Sequence, residues 1–157
     1  MATRHPLALA LVLALAPSIT ACASEPEAEP VDDDACTRYG LDDWTLIDGG
    51  ADAGSATAIS LGRAYQVNLR AEVVNHLAFE LEEAGPVTLL SDEAGAVTGV
   101  TLDGAAVELP VDQASRRCPG DLAQAVPLDL AAGTVVVEIG PLFQASVFFY
   151  AGSGPAL

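Results

Sequence analysis

The chain has 157 residues and carries 22 acidic side chains against six arginine or lysine side chains, a formal net charge of −16. This charge argues against nucleic-acid binding, which needs cationic side chains to displace counterions, and against electrostatic binding to anionic lipid headgroups. The length predicts one domain, large enough to bury a hydrophobic core.

Residues 1–21 have the pattern of a signal peptide. Arg4 and His5 provide a positive start, residues 7–16 form an unbroken apolar run, and Pro17 ends it. The run is too short for the roughly 20 apolar residues that cross a bilayer. We therefore predict an export signal rather than a membrane span.

The end of this segment, Ile19-Thr20-Ala21-Cys22, resembles the lipobox of bacterial lipoproteins. The resemblance implies that Cys22 becomes the N-terminus and carries a diacylglycerol on its sulfur and an acyl chain such as palmitate on its amine. Several acyl chains anchor a protein stably in a membrane. Ala23 rather than Asp follows Cys22, which by the same resemblance favours the outer membrane, with the domain in the periplasm or at the cell surface. Ordinary cleavage after Ala21 or Ala23, leaving Cys22 as a free thiol, is the alternative.

Residues 22–35 are predicted to be a disordered acidic tether. They contain two prolines and almost no large apolar side chain, and such a segment cannot bury enough surface to fold. A cation site at Asp32-Asp33-Asp34 is the functional alternative.

Residues 36–157 are predicted to be all-β: a two-sheet antiparallel β-sandwich, jelly-roll or Ig-like, with about 8–10 short strands. Apolar residues alternate with other residues at Leu77, Phe79 and Leu81, and Asp103-Gly104 is typical of a type I′ hairpin turn. The predicted strands are 43–48, 56–61, 64–71, 73–82, 86–91, 96–102, 105–110, 124–130, 133–140 and 145–151.

Three stretches, residues 79–89, 99–104 and 128–139, resemble the bacterial pre-peptidase C-terminal domain in their apolar alternation and turn glycines. The resemblance covers roughly residues 73–152 and implies a small non-catalytic β-sandwich module of an exported protein. Two features depart from the family: Val135-Val136 replaces a common Tyr-Tyr pair, and no peptidase accompanies the domain.

Two cysteines, Cys36 and Cys118, remain once Cys22 is assigned to lipid. In an exported domain they are predicted to form one disulfide bond. Neither has the Cys-x-x-Cys or neighbouring histidine that a redox or metal role requires.

Candidate site residues are few, and we predict no catalytic centre, no metal and no cofactor. His76 is the only histidine after the signal peptide, and His76 and Glu80 share one side of a strand, as a ligand pair or as a solvated face. Trp44 is either part of an aromatic platform or a core residue, and Arg116-Arg117 is either a contact point or a solvated loop tip. Calcium near Asp48 and Asp52 is a further alternative. Together, Trp44, His76, Glu80, Arg116 and Arg117 form the candidate binding surface.

These observations predict a lipid-anchored, non-catalytic binding module with an envelope protein or glycan as partner. A structural subunit of an envelope assembly is a second hypothesis, and it predicts a long open edge strand such as 145–151. An enzyme is the third, and it predicts a cleft with polar groups around His76 or a carboxylate pair.

Overall fold

The computed structural model describes residues 31–111 and 113–155, and in this part of the chain ten strands form two five-stranded sheets. This architecture confirms the predicted all-β sandwich. The strands are β1 Thr45–Asp48, β2 Thr57–Ala58, β3 Arg63–Asn68, β4 Asn75–Leu81, β5 Gly85–Ser91, β6 Val97–Leu102, β7 Ala105–Ala106, β8 Gln124–Leu130, β9 Gly133–Ile139 and β10 Ser146–Ser153; a helix, α1, spans Val31–Gly40, and a 3-10 turn spans Ala53–Ser55. All ten observed strands lie within or overlap the strands predicted from the sequence.

The first sheet, sheet A, has the order β1-β3-β10-β5-β8, and the second, sheet B, has the order β2-β4-β9-β6-β7. Most neighbours are antiparallel, but β1 pairs with β3 and β2 pairs with β4 in parallel. Because β10 lies between β3 and β5, the expectation of an open edge at 145–151 is wrong. The longest edge strand, β8, carries Pro127, which cannot donate a ladder hydrogen bond.

The inner faces of the two sheets form one hydrophobic core. The alternation of β4 buries Leu77, Phe79 and Leu81, and their cross-strand neighbours Val135 and Val137 in β9 are fully buried. Sheet A adds a set of inward side chains: Val67, Val87, Leu89, Val126, Val147 and Phe149. The two-residue side-chain period thus places the apolar residues of both sheets between them.

The β6–β7 hairpin confirms the predicted Asp-Gly turn. Asp103 and Gly104 have φ angles of 49° and 81°, as the two central positions of a type I′ turn require. The Asp103 carboxylate also accepts a hydrogen bond from the backbone N–H of Thr134, 3.0 Å away, and so ties the turn to β9.

Helix α1 corrects the predicted tether and the predicted start of the domain at residue 36. Residues 31–35 form its first half, and Val31, Asp32 and Ala35 are buried. Aspartates in the first turn and Arg38 in the last turn match the helix dipole. The part of the predicted tether before residue 31, the signal peptide and Cys22 lie outside the described residues.

Helix α1 packs on the outer face of sheet A against β3, β5 and β10. Its apolar side chains join a second hydrophobic group, here called the outer cluster: Val31, Ala35, Ala64, Leu90, Leu122, Ala125, Phe148 and Tyr150. Sheet A is therefore buried on both faces, and the molecule has three layers. No helix among the described residues is long and apolar enough to span a membrane.

The predicted disulfide is present. Cys36 of α1 and Cys118 of the segment before β8 are bonded, with their Cα atoms 6.0 Å apart. Both cysteines pack against the outer cluster. The bond therefore fastens α1 to residues 113–122 over the outer face of sheet A.

Candidate functional site

A groove of about 750 Å³ opens at one end of the sandwich. Two connections that cross from sheet B to sheet A form its walls: residues 59–61 join β2 to β3, and residues 82–84 join β4 to β5. The end of β10, at Ser153 and Gly154, completes it. We call this the groove end of the molecule; loops 69–74, 92–96 and 140–145 lie at the opposite end.

The walls of the groove are fixed by hydrogen bonds. The backbone N–H of Ser60 donates to the Tyr65 hydroxyl over 2.9 Å. The backbone N–H of Gly154 donates to the carbonyl of Pro86 over 2.8 Å. The Thr88 hydroxyl donates to the carbonyl of Gly154 over 2.9 Å. The groove is therefore formed by the fold itself, as ligand sites usually are.

The groove combines an apolar floor with an acidic rim. Ile59 and Leu81 form the floor at the end of the hydrophobic core, and each is only 8% exposed. Glu80, Glu82 and Glu83 stand exposed at the rim. Among the described lining residues there is no arginine, histidine or lysine. The groove thus offers apolar contact below and negative charge above.

Glu80 is the one predicted site residue that reaches the groove. Its two carboxylate oxygens accept hydrogen bonds from the Thr134 hydroxyl at 2.9 and 3.1 Å. The other groove residues were not predicted from the sequence. The doublet Glu82-Glu83 beside the turn before Pro86 is their only local signal, and it is typical of any solvated turn.

His76 lies away from the groove, on the outer face of β4. Four residues of strand separate it from Glu80, about 13 Å at 3.3 Å per residue, so the two do not form a ligand pair. Its Nε2 lies 3.9 Å from Oε1 of Glu138, its cross-strand neighbour.

The prediction of a solvated face is right for Glu80 but wrong for His76, whose side chain is only 13% exposed. Its Nδ1 is buried and has no hydrogen-bond partner within the described part of the chain. The backbone of His76 pairs with Glu138 of β9 on one side and with Gly50 on the other. The His76 side chain is thus mostly buried against the sheet.

The remaining predicted site residues lie on the other side of the molecule, around α1. Trp44 is half-buried, and its ring centroid lies 6.0 Å from that of Phe148 in an edge-to-face arrangement. Nε of Arg117 lies 3.2 Å from the Asp33 carboxylate. Arg116 is exposed in the same loop. The five predicted residues therefore do not form one surface.

The three consecutive aspartates of α1 each contact a residue of another part of the chain. Asp32 accepts a hydrogen bond from the Ser115 hydroxyl over 2.6 Å and is fully buried. Asp33 pairs with Arg117. Asp34 accepts a hydrogen bond from the Tyr150 hydroxyl over 2.6 Å. Each of the three carboxylates therefore has a partner outside the first turn of α1.

The electrostatics of this contact follow from burial and pairing. Burial, together with the hydrogen bond to Asp34, raises the pKa of the Tyr150 phenol above its ordinary value. The same carboxylate binds the Arg38 guanidinium at 2.9 Å and raises its pKa. Nearby, burial raises the pKa of Asp92, although the backbone N–H of Phe148 donates to it. The Tyr150–Asp34 hydrogen bond joins β10 to α1, and the Phe148–Asp92 hydrogen bond joins β10 to the segment after β5.

Asp48 and Asp52, the residues of the calcium alternative near the glycine-rich loop, each accept a hydrogen bond from a nearby group. The Asp48 carboxylate accepts from the Asn68 amide over 2.9 Å, and Asp52 caps the 3-10 turn by accepting from the N–H of Ser55 over 2.9 Å. Within residues 31–111 and 113–155, no three acidic, histidine or cysteine side chains are grouped as metal ligands.

Comparisons of the sequence with protein-family models and with curated proteins give no match.

Proposed function

We propose that this protein is a lipid-anchored lipoprotein of the bacterial envelope and that its sandwich acts by binding, with the groove as its binding site. The observation that carries the proposal is the groove: a preformed opening of about 750 Å³, within the usual size of ligand sites, with an apolar floor and polar groups at its rim. The partner is an envelope component.

The anchor is proposed from the lipobox, Ile19-Thr20-Ala21-Cys22. The likeness of the later strands to the pre-peptidase C-terminal domain points in the same direction, towards a non-catalytic module of an exported protein.

The described part of the chain begins at the groove end. Val31 packs so closely against Gly152 and Gly154 that a methyl group at Gly152 would clash with it, and Gly154 lines the groove. Residues 22–30 span at most about 30 Å when fully extended. A lipid anchor at Cys22 would therefore hold the groove close to the membrane surface.

The anchor is tested by replacing Cys22 with Ser in the bacterium that produces the protein. Metabolic labelling with palmitate and membrane fractionation are compared between the two chains. We expect the wild type to be labelled and membrane-bound and Cys22→Ser to lose both properties. Equal labelling and equal partition would reject the lipid anchor.

Binding at the groove is tested by photo-crosslinking in the intact envelope. A benzophenone amino acid replaces Ala84, which lines the groove, or Ala94, which is exposed at the opposite end. We expect a discrete adduct from position 84 and none of the same mass from position 94. Identical patterns from the two positions, or no adduct from position 84, would reject the groove as the binding site.

A further inference from the structure

We infer that the groove binds a cationic polypeptide segment in which lysine or arginine alternates with small apolar residues. The inference rests on the proposed function, since it names the partner of the same groove.

The rim of the groove carries uncompensated negative charge. Glu82 and Glu83 are exposed there, and Glu80 also lines the groove, although its carboxylate lies on the outer side of β4 and accepts from the Thr134 hydroxyl. The described lining residues include no basic side chain. Single exposed ion pairs contribute little. Several carboxylates around one concave surface, however, focus the potential, select a cation and raise its rate of association.

The arginines of the described chain either pair with groups outside the groove or lie outside it. Arg38 and Arg117 pair with aspartates of α1 or its neighbourhood. Arg70 donates to the carbonyl of Gly50, away from the groove. Arg63, exposed at the start of β3, lines a separate cavity together with Trp44. Arg116 is exposed in the segment before β8. None of these side chains lines the groove, so an incoming basic side chain meets no competing cation there.

The floor of the groove indicates a polypeptide rather than a bare cation. Ile59 and Leu81 end the hydrophobic core, and Leu61 packs partly buried against it. Lysine and arginine bury their aliphatic stems along such surfaces while their charged heads stay at a polar rim. Small apolar side chains between the basic ones would cover the rest of the floor.

Charge also disfavours two occupants from within the protein. The segment before α1 carries Glu25, Glu27 and Glu29, which the rim would repel. A second copy of the chain has a formal charge of −16 and would be repelled in the same way. The occupant is therefore a basic segment of another polypeptide.

The test uses the full lipidated chain in detergent micelles and fluorescence polarisation. The probe is a short fluorescent peptide of alternating lysine and alanine, and the controls are glutamate–alanine and serine–alanine peptides of equal length. We expect binding of the lysine peptide only, weakening as salt is added.

Two charge-matched double variants locate the binding. Glu82→Gln with Glu83→Gln removes two rim charges, whereas Glu72→Gln with Glu93→Gln removes two charges at the opposite end. We expect the first pair to weaken binding about tenfold and the second pair by less than about twofold. Leu61→Ser should also weaken binding, because the floor loses apolar contact. Circular dichroism of every variant confirms that the fold is retained.

Each other outcome overturns the inference. Equal losses in the two double variants would mean that binding follows net charge alone. Competition by spermidine as effective as by unlabelled peptide at equal charge would mean that the groove selects cations but not polypeptides. Failure of the lysine peptide to bind, with a discrete crosslink still formed from position 84, rejects the cationic partner but leaves the binding role. Failure of both rejects the proposed function as well.

Discussion

Replacing both Cys36 and Cys118 with Ser should remove a large part of the stability of the domain. The bond joins residues 82 positions apart. A loop of that length reduces the entropy of the unfolded chain by an amount equivalent to about 4.5 kcal/mol at 25 °C. Measured losses are often smaller than this estimate, so we expect the free energy of unfolding to fall by about 2–5 kcal/mol.

The native state should survive this change. Helix α1 keeps its hydrogen bond from Ser115 to Asp32 and its ion pair between Asp33 and Arg117. A domain of this size has about 5–15 kcal/mol of stability, so the double variant remains folded at 25 °C with a reduced margin. The loss of stability in the double variant should appear as a lower denaturation midpoint.

The assay is equilibrium unfolding in guanidinium chloride, followed by fluorescence of the single tryptophan, Trp44, which packs beside α1. Wild-type protein under reducing conditions should match the double variant and is the control. A loss below about 1 kcal/mol would refute the loop-closure argument. A native emission spectrum already shifted to that of an exposed tryptophan would refute it too, because the helix would then have left sheet A before unfolding.

Three further changes test the contacts of α1 and sheet B. Tyr150→Phe removes the hydrogen bond to Asp34 and should lower the free energy of unfolding by about 2 kcal/mol at pH 8. Because folding raises the pKa of Tyr150, the phenol stabilises the folded state fully below its unfolded pKa near 10, and this stabilisation is lost as the pH rises through the folded pKa. In urea unfolding, the free energy of unfolding of the wild type should therefore fall more steeply above about pH 10 than that of the variant. Gly152→Ala should cost about 1–3 kcal/mol in the same melts, because its methyl group meets Val31. His76→Ala should change stability by less than about 1 kcal/mol, because lost packing is offset by removal of an unpaired buried nitrogen, and should leave groove crosslinking unchanged.

These predictions have separate controls. Gly120→Ala introduces the same methyl group into open space and should be near neutral, so an equal loss there would contradict the steric argument for Gly152. Parallel pH profiles for wild type and Tyr150→Phe would contradict the role of the phenol. Loss of crosslinking in a folded His76→Ala protein would place the site on the outer face of sheet B instead of in the groove.

The strands could be predicted from the sequence because their signals are local. Alternation at Leu77, Phe79 and Leu81, and turn residues such as Asp103-Gly104, act over a few neighbouring positions. Helix α1 was missed because its acidic composition resembles that of a tether. Val31, Ala35 and Tyr39, spaced four residues apart, are the helical signal that this composition conceals.

The sequence of β10 carries a second signal that a layer, here α1, covers the outer face of sheet A. Val147, Phe148, Phe149 and Tyr150 form a continuous apolar run, which is typical of a strand covered on both faces rather than on one. The groove, by contrast, could not be predicted. It arises where connections cross between sheets, and the parallel pairings that set those crossings depend on contacts far apart in sequence.

The docking of α1 on β10 has a consequence for how the domain folds. The bond between Asp34 and Tyr150 joins residues 116 positions apart, and β10 completes sheet A by inserting between β3 and β5. Folds dominated by such non-local pairings are slow to form. Helix α1, at the start of the described chain, cannot dock until β10, the last strand, has been synthesised. In a nascent chain the outer face of sheet A therefore stays uncovered until β10 emerges. An exported chain would accordingly complete its fold only after the whole domain has crossed the membrane.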